Sequence, residues 1–173
     1  HTNITSSRFL VFGVKGMLSA AKNVRNAMLF NVLSFMSDKL LTVGNTVAAL
    51  DELYIWLSNP TAIEYIRNCL KRVRKKESAM LLASQNLEDF DQEGVREMTK
   101  PLFSIPPHQF LFNAGSIDKR SYMDMLQLEE SEYNLIKFPQ RGVCLYKCGN
   151  ERYLLEVHAP AYKEKLFGTA GGR

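Results

Sequence analysis

Residues 46–52 read TVAALDE, a short apolar run that ends in two adjacent carboxylates. The run follows a Gly-Asn turn signal and consists of β-compatible residues, so it predicts a strand over 47–51. Nearly all-apolar runs at 9–14 and 79–84 predict two further strands of the same kind. Strands that are apolar at almost every position are typical of a parallel sheet that is covered on both faces.

Helical patterns separate these strands. Apolar residues at helical spacing predict a long helix over 17–41, and a second helix begins after Asn59-Pro60 and runs to about residue 76. A later short helix is expected to stop at Pro101. The alternation predicts an α/β fold in three layers, with a mainly parallel sheet and helices on both of its faces.

The remaining elements are shorter. One more strand is predicted over 108–113, and two alternating strands at 141–148 and 151–158 flank a Gly-Asn pair, which indicates a late antiparallel hairpin. With 173 residues, 46% of them hydrophobic, we expect a single domain over 1–173. The chain begins with His rather than Met, so we expect it to be a piece of a longer protein.

Composition limits the classes of function. The net charge of +4 and the pI of about 9.0 are mildly basic and permit an anionic partner without requiring one. No apolar run approaches the roughly 18 residues that a membrane-spanning helix needs. The three cysteines have no framework spacing, which favours a reducing compartment, and Cys144 and Cys148 have no further ligands nearby that would indicate zinc.

Polar side chains follow two successive strands. Asp51 and Glu52 come directly after the first, and Gln85 follows the next. In an open parallel sheet, ligands bind beyond the carboxyl ends of the strands. One carboxylate can hold Mg²⁺ through water, its neighbour can orient or deprotonate an attacking water, and a neutral amide can contact a γ-phosphate. Hydrolysis of a nucleoside triphosphate needs these jobs done.

The second predicted helix ends in a basic run with the cations Arg67, Lys71, Arg72, Arg74, Lys75 and Lys76. A guanidinium from such a run could reach the nucleotide of a neighbouring subunit and stabilise transition-state charge. Taken singly, the acid pair is more often a capped turn, the glutamine a loop residue and the basic run a solvated helix end. Their order at successive strand ends is what favours a catalytic interpretation.

The chain resembles the C-terminal ATPase domain of the conjugative-transfer ATPases of type IV secretion systems, the TraC-like and TrbE-like group. The resemblance lies in RFLVFGV at 8–14, ALDELY at 49–54, KRVRK at 71–75, ASQNLED at 83–89 and FNA at 112–114. It implies a RecA-like P-loop motor fold, of which this chain is the C-terminal portion.

The resemblance also implies roles for individual residues. Asp51 becomes the Walker B acid that holds Mg²⁺ through water, Glu52 the catalytic base and Gln85 the sensor of the γ-phosphate. Arg72 and Arg74 become candidates for the arginine finger. The implied cofactors of the parent protein are ATP and Mg²⁺. The implied partners are further copies of the protein in a ring, other secretion-system components and DNA, at the inner, cytoplasmic face of the bacterial membrane.

One element of the family is missing. The phosphate-binding pattern G-x-x-x-x-G-K-[ST] does not occur in the sequence, and in the family it lies upstream. We therefore expect neither tight ATP binding nor turnover from this chain alone, and whether it is itself an enzyme stays open. In the family the missing strand also lies beside the strand that ends at Gln85, so we expect this chain to self-associate or rearrange. Two alternatives remain: a non-catalytic module that docks onto an intact ATPase, and a fragment of a related DNA-translocating ATPase.

Overall fold

A computed structural model describes residues 8–57, 59–85, 87–92, 94–113, 115, 117–138 and 140–168. Its described residues fall into two compact units, the first within 1–85 and 97–99 and the second within 86–96 and 100–173. The single domain expected over 1–173 stays a prediction. In the portion of the chain so described, no helix is long and apolar enough to cross a bilayer.

Helices and strands alternate along the first unit and recur in the second. The helices are α1 Lys15–Leu18, α2 Lys22–Asp38, α3 Tyr54–Leu57, α4 Pro60–Arg72, α5 Arg96–Ser104, α6 Lys119–Leu126, α7 Glu130–Ile136 and α8 Ala161–Phe167. Shorter turns are the π-helical Lys39–Val43 and the 3₁₀-helical Val73–Lys76 and Glu88–Phe90. The strands are β1 Val47–Leu50, β2 Ala79–Leu82, β3 His108–Leu111, β4 Val143–Cys148 and β5 Glu151–Glu156.

The first unit is built around the parallel pair β1 and β2, whose register sets Val47 opposite Ala79 and Leu50 opposite Leu82. Helix α4 connects the two strands. It begins where sequence chemistry predicts, because the Asn59 side chain accepts hydrogen bonds from the amides of residues 61 and 62 and Pro60 occupies the first helical position. Helix α2 lies against α4, and both bury apolar faces.

One face of this parallel sheet is open, which corrects the prediction of strands covered on both faces. Val47 is 67% exposed and Leu81 is 61% exposed, whereas Leu50 on the opposite face is 7% exposed. The apolar runs of β1 and β2 are thus long enough to be covered twice, and the described residues of this unit cover them once. We conclude that the sequence encodes a second covering surface for this sheet.

Two further predictions were wrong in detail. The apolar run 9–14 is not a strand: Phe9 is 82% exposed and Val11 is 77% exposed, and among the described residues no strand lies beside the run to pair with it. The later short helix does not stop at Pro101 but continues through it to Ser104. The buried Leu102 lies just beyond the proline, and its burial favours the helical continuation.

The second unit holds an antiparallel sheet in the order β3-β4-β5. The predicted hairpin is confirmed, since β4 and β5 pair around Gly149-Asn150. The strand predicted at 108–113 exists as β3, but it pairs antiparallel with β4, so the prediction of a mainly parallel sheet is wrong for the described residues. The three-layer arrangement stays a prediction. The sheet packs its inner face on a core formed by Ile117, Tyr122, Leu126, Leu128, Ile136 and Leu145.

Gly142, just before β4, is fixed by both its conformation and its surroundings. Its φ is +77°, and an added Cβ would lie 2.5 Å from the Val157 carbonyl oxygen. We expect Gly142→Ala to lower the free energy of unfolding by about 2–3 kcal/mol, from the left-handed backbone together with a backbone clash. Gly149→Ala is the matched control, because Gly149 also has a positive φ of +56° but open space around it. Chemical denaturation that showed equal losses would contradict this account.

The open sheet face leads to a prediction about association. We expect the chain to self-associate in a concentration-dependent way, because the unpaired strands and their apolar face recruit other chains. The double substitution Val47→Lys with Leu81→Lys should shift sedimentation toward the monomer. Val24→Lys, on the exposed side of α2 (53% exposed), should leave association unchanged. A monomer at every concentration of the unsubstituted chain would refute the prediction.

Candidate functional site at the carboxyl end of the parallel sheet

The carboxyl ends of β1 and β2 meet at one end of the parallel sheet, and backbone hydrogen bonds continue the pairing beyond the strands. The Ala83 amide donates to the Leu50 carbonyl at 2.9 Å, and the Leu53 amide donates to the Ala83 carbonyl at 2.9 Å. These two bonds hold the segments that follow each strand side by side. The residues between Leu50 and Leu53 are thereby fixed next to the segment that leads to Gln85.

Glu52 makes the turn from strand to helix. Its φ is +52°, a left-handed conformation that is uncommon for a residue other than glycine, and its amide donates to the Asp51 Oδ1 atom at 2.9 Å. The Ile55 amide then donates to the Glu52 carbonyl at 3.0 Å and opens α3. Leu53, Ile55 and Trp56 are buried, so their packing holds Glu52 in this conformation.

The structure brings Glu52 and Gln85 into direct contact. The Gln85 Nε2 atom donates a hydrogen bond of 2.7 Å to the Glu52 Oε1 atom. Gln85 is exposed and Glu52 is half-buried, so the pair lies at the surface where a ligand can reach it. The bond orients the carboxylate and leaves the amide oxygen of Gln85 as an acceptor. The roles of base and sensor stay predictions.

Asp51 lies beside this pair and is exposed. One of its oxygens, Oδ1, accepts the Glu52 amide, which fixes the orientation of the carboxylate. Within the described ranges no group of three or more His, Cys, Asp or Glu side chains could hold a metal ion. A single carboxylate fits Mg²⁺ bound with substrate phosphates and water, which is the coordination that this ion usually has in proteins.

Arg72 and Arg74 do not belong to this group. Both are exposed, Arg72 as the last residue of α4 and Arg74 in the 3₁₀ turn that follows. The same turn meets the start of β1, where the Asn45 amide donates to the Lys76 carbonyl at 2.9 Å. The two arginines therefore lie at the amino end of the parallel sheet. About 10 Å of strand separates that end from Glu52 and Gln85.

Sequence reasoning found the side chains of the site but missed the backbone that positions them. Nothing in the sequence signals a left-handed glutamate, because Asn, Asp and Gly are the residues usually found there. The role of Ala83, which accepts the Leu53 amide, is likewise a backbone role that its side chain does not announce. Arg67 was noted only as a member of the basic run, yet its Nε atom is buried and has no hydrogen-bond partner.

Comparison with known proteins gives two curated relatives. The chain is 28% identical over 141 residues to a probable conjugal transfer protein TrbE of Sinorhizobium fredii (strain NBRC 101917 / NGR234), which covers 79% of this chain and 20% of that protein. It is 31% identical over 101 residues to the conjugal transfer protein TrbE of Rhizobium radiobacter, which covers 57% of this chain and 12% of that protein. No family model matches the chain.

A solved structure agrees with these relatives. The structure of VirB4 of Thermoanaerobacter pseudethanolicus matches with a TM-score of 0.78 and 29% identity, over 89% of this chain and 42% of that chain. Sequence and fold therefore both confirm the resemblance to TrbE and VirB4 proteins. The chain spans 20% and 12% of the lengths of the two curated relatives, so it corresponds to a portion of proteins of that kind.

Proposed function

We propose that this chain is the C-terminal, Walker-B-bearing portion of a type IV secretion or conjugation motor ATPase, and that Asp51, Glu52 and Gln85 form its hydrolytic site. The observation that carries the proposal is the 2.7 Å hydrogen bond from Gln85 to Glu52 at the carboxyl end of the parallel sheet. Ligands of open α/β sheets bind at this end. The similarity to a conjugal transfer protein and to VirB4 supports the assignment.

The residues divide the work. Glu52, held by Gln85 and by the turn into α3, is oriented to accept a proton from an attacking water. Gln85 carries no net charge, so it can contact both a water and a phosphate oxygen without repelling either. Asp51 would hold Mg²⁺ through its water shell. Bound ATP and Mg²⁺ would supply the transferable phosphoryl group and the neutralisation of its charge.

The position of the two arginines supports a role between subunits. Arg72 and Arg74 lie at the amino end of the sheet, too far from Glu52 of the same chain to serve it. A homo-oligomeric ring would bring one of them to a neighbour's nucleotide as an arginine finger. In the parent protein the ring would work with other secretion-system components at the inner face of the bacterial membrane.

The sequence itself favours a second candidate for this chain taken alone. It lacks the Walker A pattern whose backbone amides and lysine supply most of the phosphate binding. A chain without that loop suits a non-catalytic module that docks onto an intact ATPase. The related DNA-translocating motors remain an alternative for the parent, since the acid pair and the basic helix end fit them equally well.

The role of Glu52 is tested in a longer form of the protein that carries the phosphate-binding loop. We expect Glu52→Gln to retain ATP binding, because the amide has the same shape, and to reduce turnover by about 10²–10⁴-fold, because the base is lost. Steady-state ATP hydrolysis measures turnover, and equilibrium titration with a fluorescent nucleotide measures binding.

Glu77→Gln is the matched control for this experiment. Glu77 has the same φ of +52° as Glu52 but lies at the amino end of the sheet, so its substitution should leave hydrolysis unchanged. Near-normal hydrolysis in Glu52→Gln would remove Glu52 from the mechanism. Equal losses in both variants would point to a shared backbone effect and not to catalysis.

The missing loop gives a separate prediction. Titration calorimetry should detect no ATP binding by this chain, with or without Mg²⁺, and Mg²⁺-dependent binding by the longer form. Micromolar ATP binding by this chain would show that it has a phosphate cradle of its own. If the longer form hydrolyses ATP and added chain changes its rate while binding no nucleotide, the docking-module alternative is favoured.

A further inference from the structure

The amino end of the parallel sheet carries a dense group of cations, Lys71, Arg72, Arg74, Lys75 and Lys76, which we call the basic end. All five side chains are exposed. In the described portion of the chain, none of the five forms an ion pair within 4.0 Å. Cations at a helix C-terminus are favoured by the helix dipole, but that effect is confined to the last turn and needs only one or two of them.

The basic end is held in place by the fold. Its 3₁₀ turn closes with Glu77 at a φ of +52°, and the Lys76 carbonyl accepts the Asn45 amide at 2.9 Å. Val73, the single apolar residue between the cations, is 8% exposed and anchors the turn in the core. The π-helical turn Lys39–Val43 lies against it and adds Lys39 to the surroundings. The acidic groups on the adjoining elements are Asp38 and Glu77, so a clear positive excess remains.

The spacing of these charges indicates the kind of anion that would bind. From Lys71 to Lys76 the helix axis advances by roughly 9 Å, so that five cations come at about one per 1.8 Å. Duplex DNA carries one phosphate charge per about 1.7 Å of its axis. A single nucleotide could engage only two or three of the cations, whereas a duplex backbone can engage all five.

A membrane surface fits less well. Helices that lie on anionic lipid combine cations with exposed large apolar residues that enter the bilayer. The only apolar residue within 71–76 is Val73, which is buried. The basic end thus offers charge without an apolar anchor, which is the character of a surface for the nucleic-acid backbone.

We propose that the basic end binds the phosphate backbone of duplex DNA without sequence specificity. The surface lies at the opposite end of the sheet from Asp51, Glu52 and Gln85. The inference therefore goes beyond the proposed ATPase function and does not depend on it. Binding would be electrostatic, so its affinity should fall steeply with salt, with a slope of about −4.5 in log K against log salt for five phosphate contacts.

The test uses the whole chain and fluorescence anisotropy with a labelled 25-base-pair duplex of arbitrary sequence, the probe length being about 25 pairs to avoid end effects. The arginines are left intact, because they are candidates for a separate role. The triple variant Lys71→Gln, Lys75→Gln, Lys76→Gln should weaken binding by at least tenfold at low salt and reduce the salt slope to about −2. Circular dichroism should show unchanged folding, since all three side chains are exposed.

The matched control removes the same net charge elsewhere. Lys100→Gln, Lys163→Gln, Lys165→Gln alters three exposed lysines outside the basic end and should leave affinity within about twofold. Equal weakening by the two variants would show that net charge alone drives binding and would overturn the proposal. So would the absence of duplex binding at low salt, or tighter binding to vesicles of phosphatidylserine and phosphatidylcholine than to the duplex.

Discussion

The candidate site depends on the parallel pairing of β1 with β2 and on its continuation past the ends of the strands. Two backbone bonds, from Ala83 to Leu50 and from Leu53 to Ala83, keep both chains side by side after the regular ladder ends. Glu52 and Gln85 are 33 residues apart in sequence, and this pairing is what allows their side chains to meet. A slip of one residue would turn every side chain of a strand to the other face and separate them.

Sequence reasoning predicted the local elements of the first unit well, because their signals are local. The strands at β1 and β2, the asparagine cap of α4 and the acid pair followed from short patterns around each residue. Arg8–Val14 shows the limit of the method. Its apolar residues satisfy the pattern of a strand, but a strand also needs a neighbour to accept its hydrogen bonds, and a local pattern does not reveal whether one is there.

The same limit explains the second unit and the site. The alternation along β4 announces a hairpin, but nothing local tells whether β3 joins it in the antiparallel direction. In the site, the residue types Asp51, Glu52 and Gln85 were readable because the chemistry demands them. The left-handed backbone of Glu52 was not, since it results from the burial of Leu53, Ile55 and Trp56 beyond it. Position along the sheet, which separates Arg72 from Glu52, likewise emerges only from the assembled fold.

The bond between Gln85 and Glu52 has a consequence for how the site could register a reaction. A primary amide has one donor end and one acceptor end, and the bond uses the donor end against an ionised oxygen. Once that oxygen carries a proton, the better match is the amide oxygen, which favours a half-turn of the Gln85 side chain. The pair is thus a two-position indicator that responds to a single proton, and it connects the ends of two strands that the backbone already ties together.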